Sequence, residues 1–255
     1  MNRTGKPSHG LARVLSRRGL CSRAEAERLA RAGRVRVDGR VVRDPHARTP
    51  ADAGLAIDDV EVVAPTRRYV MLNKPRGLVT TRSDEQGRAT VYSMLGAAGA
   101  DWLAPVGRLD KASEGLLLFS NDSAWAAAIT SPESVLGKTY HVQVDCLPGD
   151  DLLASLRAGV VDRGETLLLK SVRELRRGER NAWLEVTLDE GRNRQIRRVL
   201  AGFGIGVLRL VRVAIGPLVL GDLAKGAWRE LSSDEVEALV PRQTRPGRRG
   251  SPIRD

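Results

Sequence analysis

The sequence predicts an α+β protein with two domains: a small N-terminal α/β unit, and a larger domain in which helices flank a mixed, mainly antiparallel β-sheet. Two observations predict this fold. Residues 11–64 contain two short amphipathic segments followed by turn-linked β-rich runs. Residues 69–240 alternate β-rich runs with helical patterns, which favours a sheet with helices packed on it. We interpret residues 65–68 as the linker.

Two helices are predicted at the start of the N-terminal unit. Gly19 ends the first helix, and residues 22–25 (Ser-Arg-Ala-Glu) form a capping box that starts a second helix reaching about Ala32. One face of the first helix has apolar residues at the i, i+3 and i+4 spacing: Leu11, Val14 and Leu15.

Strands follow these helices. Asp38-Gly39 lies between the β-rich runs Val35–Val37 and Arg40–Val42, which is a strong signal for a hairpin. A further strand is predicted from about Leu55 to Val63 and completes the N-terminal unit.

The larger domain is predicted from alternating patterns. Strands are expected at 69–72, 116–120, 139–144, 167–170, 182–188 and 207–213. Helices are expected at 90–95, 123–130, 150–156, 193–201 and 232–240. The last helix begins with a second capping box, Ser-Ser-Asp-Glu.

Positive charge is concentrated in parts of the chain. The formal net charge is +11, residues 1–48 alone carry a net +9, and residues 191–212 carry six Arg and no acidic residue. Residues 1–10 and 241–255 are basic, rich in Gly, Pro and Ser, and without periodicity, so we expect both to be disordered extensions. Clustered positive charge favours a polyanionic partner, with nucleic acid the first choice.

Several classes of protein are disfavoured. No apolar run approaches the ~20 residues of a membrane span, and the N-terminus lacks the apolar core of a secretory signal. Two cysteines without a CxxC pair exclude a disulfide framework and a Cys-rich zinc site. The three histidines are far apart in sequence, so we expect no metal.

The most distinctive segment is 107–122, GRLDKASEGLLLFSND. Asp110 lies between Arg108 and Lys111, just before a glycine that opens an apolar strand. Neighbouring positive charge keeps a carboxylate ionised, and an ionised, oriented carboxylate can act as a nucleophile or general base. From these residues alone two interpretations stay open: a catalytic carboxylate, or a salt-bridged structural Asp in a loop.

The predicted helix after residue 193 has an apolar stripe and several arginines. Arg194 and Arg198 project opposite the stripe, and Arg197 lies on its flank. The helix can therefore pack on the sheet while its arginines face a cleft, although an ordinary amphipathic surface helix has the same pattern. The stripe consists of Ile196, Val199, Leu200 and Phe203.

Segment 107–122 closely resembles the active-site motif of the bacterial ribosomal RNA pseudouridine synthases that carry an S4 domain, the RsuA/RluB-type family. Three other family segments occur in order: residues 72–77 (LNKPRG), the Lys-x-Tyr at 138–140, and residues 190–198 (EGRNRQIRR). The resemblance covers residues 11–240. The family usually has Thr where this chain has Ser113, which keeps the hydroxyl group and loses a methyl group.

The resemblance implies the roles of individual residues. Asp110 would be the essential carboxylate, Tyr140 would stack on the target uracil, and Arg197 would pair with Asp110. Arg108 suits a role at the flipped nucleotide, since a base inside a helix cannot be reached. Further RNA contacts are expected from Lys74, Arg76, Arg192, Arg194 and Arg198. His141 should point to the opposite face of the Tyr140 strand and is interpreted as structural.

Residues 11–26 and 33–39 resemble the S4 RNA-binding module, with its order of helix, Ser-Arg cap, helix, glycine and hairpin. Such a module would contact RNA mainly through phosphates and shape. The basic residues expected to do so are Arg13, Arg17, Arg18 and Arg23.

The implied function is the isomerisation of uridine to pseudouridine in ribosomal RNA, with no cofactor and no metal. Asp110 would attack C1′, attack the base or abstract a ribose proton. Residues 81–84, 106–112 and 111–114 favour the 23S RNA of the large subunit over 16S RNA. The alternatives are a non-catalytic ribosome-associated RNA-binding protein and a hydrolase that uses Asp110 with Glu114. We expect a cytoplasmic monomer that acts on free rRNA or on a pre-ribosomal particle.

Overall fold

The computed structural model describes residues 7–96 and 102–240. The N-terminal domain contains two helices and six short strands. In chain order they are β1 (Ser8–Gly10), α1 (Leu11–Arg17), α2 (Arg23–Arg31), β2 (Val35–Val37), β3 (Arg40–Val41), β4 (Arg48–Pro50), β5 (Leu55–Ile57) and β6 (Val60–Glu61). Apolar side chains of both helices pack on β2 and β5 to form a separate small core.

Local sequence accounts for these helices. Gly19 follows α1 with a φ of +76°, a conformation that favours glycine. The hydroxyl oxygen of Ser22 accepts a hydrogen bond from the Glu25 amide at 3.0 Å, so the predicted N-cap of α2 is confirmed. The Glu25 carboxylate pairs with Arg28 instead of closing the capping box.

Two hairpins turn through left-handed residue pairs. Asp38 and Gly39 both have positive φ, which matches the type I′ turn expected between β2 and β3. The single strand expected from Leu55 to Val63 is wrong: Asp58 and Asp59 also have positive φ and split it into β5 and β6. Aspartate tolerates this conformation, so an Asp-Asp pair can turn a hairpin.

The expected disorder of residues 1–10 is wrong for its last part. β1 pairs antiparallel with β4, from Ser8 opposite Pro50 to Gly10 opposite Arg48. This pairing satisfies backbone groups that a disordered arm would leave in water. Residues 1–6 and the expected basic tail 241–255 lie outside the described residues.

The larger domain contains eleven strands, four α-helices and one 3₁₀-helix among its described residues. The strands are β7 (Tyr69–Lys74), β8 (Ala104–Val106), β9 (Glu114–Ser120), β10 (Lys138–Val144), β11 (Val160–Asp162), β12 (Glu165–Leu167), β13 (Ser171–Arg177), β14 (Ala182–Leu188), β15 (Val207–Ile215), β16 (Leu218–Val219) and β17 (Trp228–Glu230). The helices are α3 (Ser123–Thr130), α4 (Asp150–Ala158), α5 (Gln195–Gly202) and α6 (Ser233–Ala238), and the 3₁₀-helix is Val91–Met94.

The central sheet confirms the expected mixed, mainly antiparallel architecture. Its strand order is β13-β14-β10-β15-β9-β7-β17, and β9 runs parallel to β15. Every residue of β9 is buried, because apolar layers cover both faces of the sheet there. α4 and α5 pack on one face, and α3 packs on the other. A buried central strand gives a rigid support to the loops at its ends.

Most predicted elements occur with shifted ends, but the strand expected at 167–170 is wrong. β12 ends at Leu167 and β13 begins at Ser171, so the apolar run spans the end of a hairpin and a connection. The helix expected from residue 193 begins at Gln195, because Arg194 has a φ of +51°. The capping box of α6 is confirmed by reciprocal bonds between Ser232 and Glu235.

The segment expected to be a linker is tied to Asn121, which follows β9. The Asn121 side chain accepts from the Arg68 amide at 2.9 Å and donates to the carbonyl oxygen of Thr66 at 2.8 Å. The Arg67 guanidinium donates to the carbonyl oxygens of Asn121 and Arg17, at 2.9 and 3.0 Å. The linker residue Arg67 therefore joins the two domains by hydrogen bonds at the end of β9.

No helix within residues 7–96 and 102–240 is long and apolar enough to cross a bilayer.

Candidate active site

A cavity of about 570 Å³ opens at the end of the sheet where β9 begins. It is bounded by the 107–113 loop, the beginning of β10, the 188–197 segment and part of β15. The cavity therefore brings together three of the four segments that the sequence singled out. The fourth, at 72–77, lies behind the loop and holds it in place.

Asp110 is placed by its backbone. The Thr80 hydroxyl group donates to the carbonyl oxygen of Leu109 at 2.7 Å, and Leu109 itself is buried. The Ser113 amide donates to the carbonyl oxygen of Asp110 at 3.0 Å and closes a tight turn. The Asp110 side chain remains 41 % exposed and borders the cavity. The carboxylate is thus presented to a ligand by a loop that is fixed on the protein side.

Lys74 is part of that support, and its expected contact with RNA phosphate is wrong. The side chain is fully buried, and its ammonium group donates to the carbonyl oxygens of Pro75, Asp110 and Ser113 at 3.1, 3.2 and 2.8 Å. Burial lowers the pKa of Lys74 from 10.5 to about 8. Arg76, two residues further on, is exposed and free to meet RNA.

The ion pair expected between Asp110 and Arg197 is also wrong. The guanidinium of Arg194 is the group that approaches the Asp110 carboxylate, at 3.6 Å. Arg194 precedes α5 in a left-handed conformation, which turns its side chain toward the cavity. Arg197 lies in the first turn of α5 and donates to the carbonyl oxygens of Ala112 and Val207, both at 3.4 Å.

The Arg197 guanidinium still interacts electrostatically with Asp110. Burial lowers the pKa of the Arg197 guanidinium, and the nearby Asp110 charge opposes that change. Both residues border the cavity. Arg197 thus contributes positive charge behind the carboxylate while Arg194 contacts it from the solvent side.

Tyr140 forms part of the cavity wall. Its side chain is 9 % exposed and lies on the same face of β10 as Val142 and Val144. His141 faces the other side, as expected, and its imidazole lies 3.6 Å from the Glu185 carboxylate. A buried aromatic ring beside an open carboxylate suits a flat ring as ligand.

The remaining expected RNA contacts in this domain divide into two groups. Arg108 and Arg192 are exposed at the cavity, although Arg192 also pairs with Glu190 at 2.8 Å. The assignment of Arg198 is wrong: its guanidinium is bound by Asp162 and Glu165 of the β11–β12 hairpin and does not border the cavity. The acidic partners come from a distant hairpin, so the helix sequence could not reveal them.

The arginines of the N-terminal domain also divide into exposed side chains and one that is bonded within the protein. Arg13 and Arg23 are exposed on α1 and α2. Arg17 is exposed and lies 2.8 Å from the His9 imidazole nitrogen. Arg18 is instead used internally, since it donates to the carbonyl oxygens of Ala51 and Ala53 at 2.8 and 2.6 Å. Its expected role in RNA contact is therefore not supported by its geometry.

Two basic residues of the cavity were missed as site residues. Arg212 on β15 is only 5 % exposed and lies opposite Tyr140 in the sheet register. Lys138 precedes Tyr140 in the Lys-x-Tyr segment, and burial lowers its pKa. Alternation along β15 places Arg212 on the buried face, but no local pattern indicates that this face borders a cavity.

The chemistry available here is that of an open carboxyl group beside an aromatic ring, with several guanidinium groups around them. No cluster of three or more His, Cys, Asp or Glu that could hold a metal ion occurs in the described ranges 7–96 and 102–240. The exposed cations at the rim suit phosphates, and the interior suits a polar ring.

Comparison with known proteins agrees with this chemistry. Residues 68–202 match the family described as RNA pseudouridylate synthase, and residues 10–48 match the S4 domain. A protein of Aquifex aeolicus described as an uncharacterized RNA pseudouridine synthase is 36 % identical over 91 % of this chain and 97 % of its own length. The ribosomal large subunit pseudouridine synthase B of Bacillus subtilis is 32 % identical over 90 % of this chain and 94 % of its own.

A solved structure has the same fold. A crystal structure of a pseudouridylate synthase superposes with a TM-score of 0.64 at 29 % sequence identity. The superposition covers 91 % of this chain and 99 % of the crystallised chain. Asp110 and Tyr140 lie within the matched family region, as does the cavity lining apart from Leu210 and Arg212. The chain therefore belongs to the RNA pseudouridylate synthase family and carries an N-terminal S4 domain.

Proposed function

We propose that this protein converts a specific uridine of the large-subunit (23S) ribosomal RNA to pseudouridine, with Asp110 as the essential carboxylate. The observation that carries the proposal is the Asp110 carboxylate, open to a cavity whose walls include Tyr140 and whose rim is cationic. The large-subunit target is supported by the named relative from Bacillus subtilis.

The reaction is an isomerisation. The N1–C1′ glycosidic bond of uridine breaks, the detached uracil rotates, and C5 forms the new bond to C1′. C5 loses its proton and N1 gains one, so atoms and electrons balance without an oxidant, a reductant or a cofactor. Tyr140 would hold the ring by stacking, which leaves one ring edge free to turn toward Asp110.

RNA must reach the cavity as a flipped nucleotide, because a stacked base hides C1′ and C5. The exposed guanidinium groups around the opening suit the phosphates on either side of that nucleotide. They belong to Arg108, Arg192 and Arg194, and the exposed Arg76 on the turn behind the 107–113 loop would add a further phosphate contact. Arg13 and Arg23 on the S4 domain would add phosphate contacts further away. We also propose that the protein acts as a monomer, in the cytoplasm.

The alternatives are less well supported. Glu114, the acid that a hydrolase would pair with Asp110, is buried and bound by Arg209 and Lys225, and it does not border the cavity. A non-catalytic RNA-binding protein has no need of an open carboxylate supported by three separate loop contacts. A small-subunit target remains the second candidate, because the cavity chemistry is the same for either RNA.

The test is to map pseudouridine in 16S and 23S RNA from a strain that lacks this protein. One 23S position should lose its pseudouridine and regain it when the wild-type chain is restored. Restoring Asp110→Asn should leave the position as uridine. Loss at a 16S position would contradict the large-subunit assignment, and an unchanged map would contradict the proposed activity on ribosomal RNA.

A further inference from the structure

Arg212 is a buried guanidinium with an incomplete set of partners. Its Nε donates to the carbonyl oxygen of Leu116 at 2.7 Å, which fixes the plane of the group. Nη2 is buried and has no hydrogen-bond acceptor among the described residues. A charged donor left without an acceptor costs more than an ordinary missing hydrogen bond, so such groups need an explanation.

Arg212 also has no neutralising acid. The cavity contains three carboxylates, and each is closer to another cation. Asp110 pairs with Arg194 at 3.6 Å, and the other two pair with Lys170 and Arg192. Within the described part of the chain, no carboxylate oxygen lies within 4.0 Å of Arg212. Its positive charge is therefore available to whatever enters the cavity.

The location of Arg212 favours a nucleobase over a phosphate. It lies directly across the sheet from Tyr140, and such cross-strand neighbours have Cβ atoms about 5 Å apart. Leu210, two residues before Arg212 on β15, borders the cavity as well. The exposed arginines are at the rim, whereas Arg212 lies deep inside. A base held by Tyr140 would therefore present its carbonyl edge to this guanidinium.

We propose that Arg212 is a catalytic residue that donates hydrogen bonds to a carbonyl oxygen of the target uracil and stabilises the charge that the ring acquires. The inference rests on the proposed function. When N1–C1′ breaks, its electron pair stays with the uracil, whose negative charge spreads over N1 and the two carbonyl oxygens. C5 then uses a ring electron pair to bond C1′, and the proton lost from C5 is balanced by the one gained at N1. A fixed guanidinium stabilises this anion more than the neutral uridine.

The test compares Arg212→Met and Arg212→Lys with Arg173→Met, a control in an exposed ion pair with Glu185 on β13. Single-turnover rates are measured at saturating 23S RNA transcript, and RNA affinity is measured separately. Arg212→Met should lower the rate by about 100-fold and change affinity by less than about threefold. Arg212→Lys keeps the charge and should recover part of the rate. Arg173→Met should stay close to wild type.

Chemical rescue guards against a folding defect. Millimolar guanidinium chloride should raise the rate of Arg212→Ala by at least about tenfold, since a small cation can occupy the vacated site, and should not affect Asp110→Asn. A loss confined to RNA affinity would overturn the inference, as would a Met variant with a near-normal rate or an equal loss in the Lys variant without rescue. Lack of pseudouridine formation by the wild type would instead contradict the proposed function.

Discussion

The ammonium group of Lys74 donates a hydrogen bond to the main-chain carbonyl oxygen of Asp110 at 3.2 Å, from a side chain that is fully buried. The same group donates to the carbonyl oxygen of Ser113 at 2.8 Å. Both contacts are to backbone, so Lys74 fixes the loop without neutralising the Asp110 carboxylate directly. The cavity is thus built from a supporting cation behind the loop and exposed cations in front of it.

Replacing Lys74 by Met should destabilise the protein and make its stability depend differently on pH. Three carbonyl oxygens lose a charged donor, at a cost of roughly 1–3 kcal/mol or more. The pKa of Lys74 is about 8 in the folded protein, below its usual 10.5, so the unfolded chain binds more protons between these values. The contribution of Lys74 to stability therefore grows as pH rises from about 8 toward 10.5, and is lost as pH falls through about 8.

Denaturant unfolding of wild type and Lys74→Met at several pH values between about 7 and 10 measures this contribution. The difference in the free energy of unfolding should increase with pH in favour of wild type. A difference that stays constant over this range would contradict the lowered pKa.

Arg194 and Arg197 should respond differently to substitution by Met. The Arg194–Asp110 pair is half exposed, so its loss should slow single turnover by up to about fivefold, and high salt should reduce the effect. Arg197 is less exposed and bonded to two carbonyl oxygens, so Arg197→Met should also lower thermal stability. A salt-sensitive rate loss in Arg197→Met, with Arg194→Met silent, would show that the ion pair is assigned to the wrong residue.

RNA binding by the N-terminal domain should depend on Arg13 and Arg23 and not on Arg18. Each lost phosphate contact should make the slope of log affinity against log salt shallower by about 0.7–0.9. The double variant Arg13→Gln/Arg23→Gln should therefore show a shallower slope and an unchanged melting temperature. Arg18→Gln is the matched control: it removes bonds to Ala51 and Ala53 and should lower stability without changing the slope.

The domain junction can be tested at Gly19. A Cβ atom there would lie 2.8 Å from the carbonyl oxygen of Asn121, whereas at Gly39 it would meet nothing within 4 Å. Both glycines have φ near +80°, so the strain of a left-handed alanine, roughly 1–2 kcal/mol, applies to both variants. Gly19→Ala should be destabilised more than Gly39→Ala and should be cut faster by trypsin after Arg67. Equal behaviour of the two variants would contradict a close domain contact.

Local signals identified the elements well but not their long-range partners. The Asp38-Gly39 turn, the Ser22 N-cap and the Ser232 capping box all depend on neighbouring residues, and each occurs as expected. The motif predicts the Asp110 loop, because the residues that form this loop are neighbours in the sequence.

Errors arose where the deciding contact is distant in sequence. Arg198 is bound by Asp162 and Glu165, and Lys74 turns inward to the carbonyl oxygen of Ser113. Arg212 borders the cavity only because β15 pairs with β10. Spacing along one helix or strand contains no information on such partners.

The central claim, that Asp110 is the essential carboxylate, is tested most directly by single-turnover pseudouridine formation with Asp110→Asn at saturating 23S RNA. Asp59→Asn, a change in an exposed ion pair with Arg36 at the β5–β6 turn, is the matched control. The substitution at Asp110 keeps shape and hydrogen bonding but removes the charge, so the rate should fall below detection while RNA affinity changes by less than about threefold. A rate within about tenfold of wild type, roughly 1.4 kcal/mol on the barrier, would contradict the account.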